Sequence, residues 1–109
     1  MADAKKVGAR SRRKGANGER ELAAILREYG YDVRRGIQSA GESDVIGLPG
    51  IHLEVKRREK LQLEDWMAQA RRDARPEELP TVWHRRNNCE WLVTMPLEVF
   101  MILYREFGA

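Results

Sequence analysis

Two short β-rich runs, 44–46 and 51–55, stand on either side of Leu48-Pro49-Gly50, and the second alternates in side-chain character with a period of two. A strand sends successive side chains to opposite faces, so Ile51, Leu53 and Val55 share one face while His52, Glu54 and Lys56 share the other. Proline sets φ and the glycine after it tolerates the conformation a tight turn needs, so the two runs are expected to close into a β-hairpin. Centred on Pro49, antiparallel pairing puts Ile46 opposite His52, Val45 opposite Leu53 and Asp44 opposite Glu54. The two carboxylates then project as neighbours from one face, and Lys56 joins them.

Away from the hairpin the apolar period becomes helical. Leu22, Ile25, Leu26 and Tyr29 recur at helical spacing, predicting a helix over 19–29 with Asn17 or Ser11 as N-cap, Gly15 and Gly18 interrupting its approach, and Gly30 ending it. Residues 31–37 read as a first strand, followed by a small polar loop over 38–43. Beyond the hairpin, Leu63, Trp66, Met67, Ala70 and Ala74 lie on one face of a helix over 62–74, which makes Trp66 a core residue rather than a stacking platform for bases. Gln69 falls at the edge of that face. A linker over 76–80 leads to two strands, 81–86 and 90–95, around the turn Asn87-Asn88-Cys89. In the first of these, Trp83 and Arg85 point one way and Val82, His84 and Arg86 the other. Pro96 opens a last helix with Leu97, Phe100, Met101, Tyr104 and Phe107 on one face, which closes the core or, with Met101 and Leu103, contributes to a dimer interface. The predicted order is αβββαββα, an α/β fold with a central mixed sheet flanked by helices.

Length and composition narrow the class. A chain of 109 residues makes one domain, and 34% charged with 42% apolar residues is an ordinary soluble balance. No apolar run is long enough for a membrane span, and the basic start lacks the apolar segment of a signal peptide. Cys89 is the lone cysteine, which fits a reducing cytoplasm and leaves no disulfide framework or zinc cluster. The net charge of +3 is unevenly spread: Lys5, Lys6, Arg10, Arg12, Arg13 and Lys14 face only Asp3 in the first 14 residues. Such a segment is either a solubilising tail or an arm for nucleic-acid phosphates, and the second reading is favoured. A further basic cluster, 56–60, adjoins the hairpin, and Arg85 and Arg86 end a strand.

Two carboxylates and an ammonium brought together beside a sheet repel in part and lose hydration. A divalent cation resolves the conflict, and hard oxygen donors suit Mg²⁺ or Mn²⁺. Three charged residues alone are more simply a solvated strand face with a cross-strand Glu–Lys pair. Their spacing and context say more. Asp44 followed by Glu54-Val55-Lys56, in strand–turn–strand setting, resembles the core motif of the PD-(D/E)XK nuclease superfamily. With the flanking elements, the resemblance is to the small Holliday-junction resolvase-like nucleases of archaea and phages, over about residues 12–107. Ser43 stands where the family name has proline.

The resemblance implies a restriction-endonuclease-like core, with residues 1–14 as a basic segment of disordered-tail composition and 15–109 as the nuclease domain. It implies that Asp44, Glu54 and the main-chain carbonyl of Val55 bind Mg²⁺ or Mn²⁺, while Lys56 orients the attacking water. Glu19 would complete the site directly or through water, because Lys14-Gly15-Ala16-Asn17-Gly18-Glu19 reproduces the family's Lys-Gly-to-Glu spacing. The helical wheel barely separates Glu19 from Glu21, and either is an ordinary partner for the helix dipole. The family's glutamine after Glu-x-Lys corresponds in place to Gln69, and its loop serine to Ser39; a solvent-facing glutamine and a plain connector are the bland readings. DNA contacts are assigned to Arg12, Arg13, Lys14, Ser39, Arg57, Arg58, Arg85 and Arg86. The expected function is metal-dependent cleavage of branched DNA in recombination, by a homodimer, in the host cytoplasm if the source is viral. A general, flap or single-strand nuclease or nickase is the rival within the class, and a non-catalytic basic DNA-binding module the rival outside it.

Overall fold

The computed structural model describes residues 2–36 and 44–108, and of residues 2–14 the backbone alone. The elements are α1 (Ala2–Glu28), β1 (Arg34–Arg35), β2 (Val45–Ile46), β3 (Ile51–Arg57), α2 (Leu63–Asp73), β4 (Leu79–Arg85), β5 (Leu92–Thr94) and α3 (Leu97–Gly108), in the expected order αβββαββα. The strands form one five-stranded sheet in sequence order. Its pairs are antiparallel except β3 with β4, which run parallel with α2 as the crossover between them.

The hairpin forms as its local chemistry dictates. Ile51 N–H donates to the Leu48 carbonyl at 3.0 Å and Gly50 has φ 87°, a type II turn with Pro49 leading it. Val45 pairs with Leu53, the register expected from the sequence, and continuing it by one residue sets Asp44 against Glu54. Register is strongly specified here because Val45 and Leu53 are both fully buried, and a slip of one residue would expose them.

The sheet is covered on both faces. Leu22, Ala23 and Leu26 of α1 pack with Val33, Val45, Leu53 and Val55 on one side. On the other, Trp66 and Ala70 of α2 meet Val82, so Trp66 is a core residue, in line with its spacing. Burying one side chain the size of Leu53 contributes about 2 kcal/mol, and two thin layers of this kind hold the hairpin between the helices.

Several boundaries differ from the sequence reading. The first helix is not confined to 19–29: α1 starts at Ala2 and passes through Gly15 and Gly18. Gly18 serves packing, since a Cβ there would lie 2.9 Å from the Cβ of Arg57 at the end of β3. Of the described residues in the strand expected over 31–37, Arg34 and Arg35 form the ladder with β2. β4 begins at Leu79, inside the expected linker, because parallel pairing with β3 extends to Ile51 opposite Leu79. Tyr29 is 75% exposed, as α1 ends before it. The largest correction concerns α3: Leu97, Phe100, Met101, Tyr104 and Phe107 are all exposed, so that face does not close the core. The first turn is what attaches, through buried Val99 and a 3.2 Å pair between Glu98 and Arg71.

Candidate active site

Five elements converge at the end of the hairpin. Asp44 enters β2, and its Oδ2 accepts the Val55 N–H at 2.9 Å, which fixes the carboxylate against β3. Glu54, only 2% exposed, has Oε1 3.0 Å from His52 Nε2 and Oε2 3.5 Å from Lys56 Nζ. The Lys56 ammonium donates to Gln69 Oε1 at 2.7 Å, so α2 supplies a partner that aims it. Glu19 comes from α1, is buried, and receives the Arg35 guanidinium from β1. Gly18 makes that reach: with no side chain, it lets the helix sit against Arg57, and the next residue turns toward the hairpin.

The charges at this corner sense one another closely. Burial pushes the Glu54 carboxyl above its ordinary range, the His52 hydrogen bond offsets part of this, and the charge of Asp44 raises it again. Glu19 is raised as well, first by burial, against the Arg35 hydrogen bond, with Asp44 and then Glu54 adding repulsion. Asp44 thus disfavours the charge of both glutamates, and Glu54 that of Glu19, at a corner where burial already acts in the same direction. Among the described residues, no group of three His, Cys, Asp or Glu side chains is arranged as a finished metal cage. The donors present are hard oxygens, and two carboxylates with a main-chain carbonyl, the rest left to water, is the donor set that Mg²⁺ accepts. A cation there would offset the burial and repulsion that raise both glutamates.

The remaining expectations sort by place. Ser39 lies outside the described residues, as do the side chains of Arg12, Arg13 and Lys14, whose backbone is part of α1. Arg57 and Arg85 face each other across the parallel pair and gather round Glu21, at 3.8 and 2.7 Å, with Trp91 Nε1 donating to the same carboxylate at 2.9 Å. Arg58 and Arg86 are exposed. Glu21 therefore anchors an arginine cluster, while Glu19 turns to the acidic corner. Two partners in the site go beyond the sequence reading. Alternation puts His52 on the face of Glu54, where phosphate or water is the expected neighbour; the structure bonds it to Glu54 itself. Its signal is a same-face position two residues before the acid. Arg35 has no such signal, because its approach to Glu19 depends on how β1 pairs.

A half-buried Asp at the entry of one hairpin strand, Glu-x-Lys on the next, and a helix-borne Glu beside them on a mixed sheet between helices define a PD-(D/E)XK nuclease core. The family model described as phage putative PDDEXK endonuclease matches residues 10–106, and the chain belongs to that family. It is therefore a nuclease by family, with DNA as the substrate class this implies. No curated protein and no solved structure matches the chain. No described helix is long and apolar enough to cross a membrane.

Proposed function

We propose that the protein is a divalent-metal-dependent, structure-selective DNA endonuclease of the Holliday-junction resolvase type, acting as a homodimer. The observation that carries the nuclease chemistry is the pairing of half-buried Asp44 with buried Glu54, each held by a hydrogen bond, with Lys56 aimed from the same face. Asp44, Glu54 and the Val55 carbonyl would hold Mg²⁺ or Mn²⁺, with Glu19 completing the site directly or through water. Such an ion, when bound, polarises a phosphate and lowers the pKa of a bound water.

The chain's own residues do the positioning. His52 orients the Glu54 carboxylate, Val55 N–H orients Asp44, and Arg35 restrains Glu19, the outer partners that set ligand direction. Lys56, held by Gln69, orients the attacking water and stabilises negative charge growing on the phosphate; as an ammonium it donates rather than accepts a proton. Exposed Arg58 and Arg86, with Arg12, Arg13, Lys14 and Ser39, are assigned to the DNA backbone, where contacts position without reading sequence. Arg57 and Arg85 border that surface while balancing Glu21.

Junction specificity rests on the resemblance and on stoichiometry. A four-way junction is resolved by cuts in two symmetry-related strands, and one chain carries one such site, so resolution requires a two-fold pair of copies. The test is cleavage of a labelled four-way junction, a flap, a single strand and a linear duplex by wild type and Asp44→Asn, each in Mg²⁺, Mn²⁺ or EDTA. Paired symmetric nicks confined to the junction, lost in EDTA and in the variant, are expected. Metal-dependent cutting of every substrate would leave the site and refute the junction preference. No cutting by wild type would make the chain a DNA-binding module.

A further inference from the structure

α3 is apolar over most of its surface, with Glu98, Arg105 and Glu106 as its charged residues. Leu97, Phe100, Met101, Ile102, Tyr104 and Phe107 are all exposed, from 44% at Met101 and Ile102 to 86% at Phe107. An apolar helix surface of this extent normally faces a core or a partner. Three of its rings form a continuous ridge, Phe100 to Tyr104 at 6.1 Å and Tyr104 to Phe107 at 6.0 Å between centroids. With about 150–250 Å² on each aromatic side chain, the exposed part of α3 presents roughly 700–800 Å² of apolar surface. That is more than a lone soluble chain usually leaves open and close to what one copy contributes to a standard interface, about 800 Å².

A second apolar surface flanks α1. α1 packs on β1, β2 and β3, and beyond its flank opens an apolar groove of about 600 Å³. Its lining includes Leu22, Ile25, Tyr29, Trp83, Trp91 and Val93. The first turn of α3 sits beside α2. Glu98 pairs with Arg71 of α2, and α2 covers the face that carries Val82 and His84; the groove belongs to the alternate face, that of Trp83 and Val93.

We propose that α3 of each copy seats its aromatic ridge in this groove of a second copy, giving a closed two-fold dimer. One symmetry operation then covers both apolar surfaces on both chains, as an isologous interface requires. The interface stands on α3 and the groove. Its use, supplying two active sites to one junction, rests on the function proposed above.

The test is the mass of the full chain in solution, by light scattering at micromolar concentration, for wild type, Phe107→Glu with Phe100→Glu in α3, and Tyr29→Glu with Val93→Glu in the groove. These side chains are exposed, so folding, checked by circular dichroism, should survive the changes. Wild type should weigh about twice 12.6 kDa and each variant close to 12.6 kDa, with dimer affinity lowered about 100-fold or more. A mixture of the two variants keeps one intact ridge-and-groove pairing per dimer and should form a weak heterodimer. A monomeric wild type would overturn the proposal, and so would a groove variant that stays dimeric. A dimer without junction preference would support the interface and count against the junction reading alone.

Discussion

Glu54→Gln separates what the buried site does for stability from what it does for chemistry. The substitution keeps shape and removes one negative charge from a side chain that is 2% exposed. In the metal-free protein that charge is unfavourable, first through burial and then through Asp44, with the His52 hydrogen bond offsetting part. A buried group short of compensation costs about 1–3 kcal/mol, more when it is charged, and the neutral amide avoids the charged part of that cost. Weakening the charge-assisted bond from His52 costs about 1–2 kcal/mol. The expected net gain is about 1 kcal/mol at pH 7.5, or about 4–6 °C in melting midpoint for a chain of this size. The folded carboxyl titrates above its ordinary 4.5, so wild type has its full share of stability below 4.5 and loses it as pH rises through the raised value. The variant's advantage should thus vanish at pH 4 and grow as pH rises above 4.5. Cleavage moves the other way: loss of about 3 kcal/mol or more of transition-state stabilisation slows it about 100-fold or more. Melts in EDTA from pH 4 to 8 and single-turnover cleavage in Mg²⁺ read the two effects. A variant that melts below wild type at pH 7.5 refutes the electrostatic argument, and one that cleaves within tenfold of wild type refutes the role assigned to Glu54.

Gly47 has φ 127°, and a Cβ there would press on the Asp32 carbonyl and approach the Val33 Cα to 2.7 Å, so Gly47→Ala should cost about 2–3 kcal/mol in urea unfolding. An unchanged midpoint would mean that the chain shifts freely there. His84 is buried with Nε2 2.8 Å from Thr94 Oγ1, and burial lowers its pKa. Protons then bind the unfolded chain more readily, and wild type should lose stability as pH falls below 6.5; His84→Gln should lack that component, and identical pH slopes would refute it. Deleting residues 1–14 should reduce the slope of log affinity for DNA against log salt by about 0.9 for each phosphate the segment neutralises. An unchanged slope would leave that basic segment without a DNA role.

The sequence by itself determined the hairpin and the face it presents. Pro49, Gly50 and a period of two act over a few residues, and from them follow the turn, the pairing of Val45 with Leu53 and the common side of Glu54 and Lys56. The buried stripe of α2 was legible for the same reason. Tertiary structure decided everything that joins distant segments. Gly18 reads as a helix breaker until Arg57 is known to lie against it, and that approach carries Glu19 to the acidic corner. That Arg57 and Arg85 share Glu21 as a counter-ion is visible only once the parallel register sets them opposite each other and α1 brings Glu21 between them. Periodicity foretold an apolar face on α3 and could not name what covers it. A local pattern specifies which side of an element avoids water; strand order and helix approach specify what it meets instead.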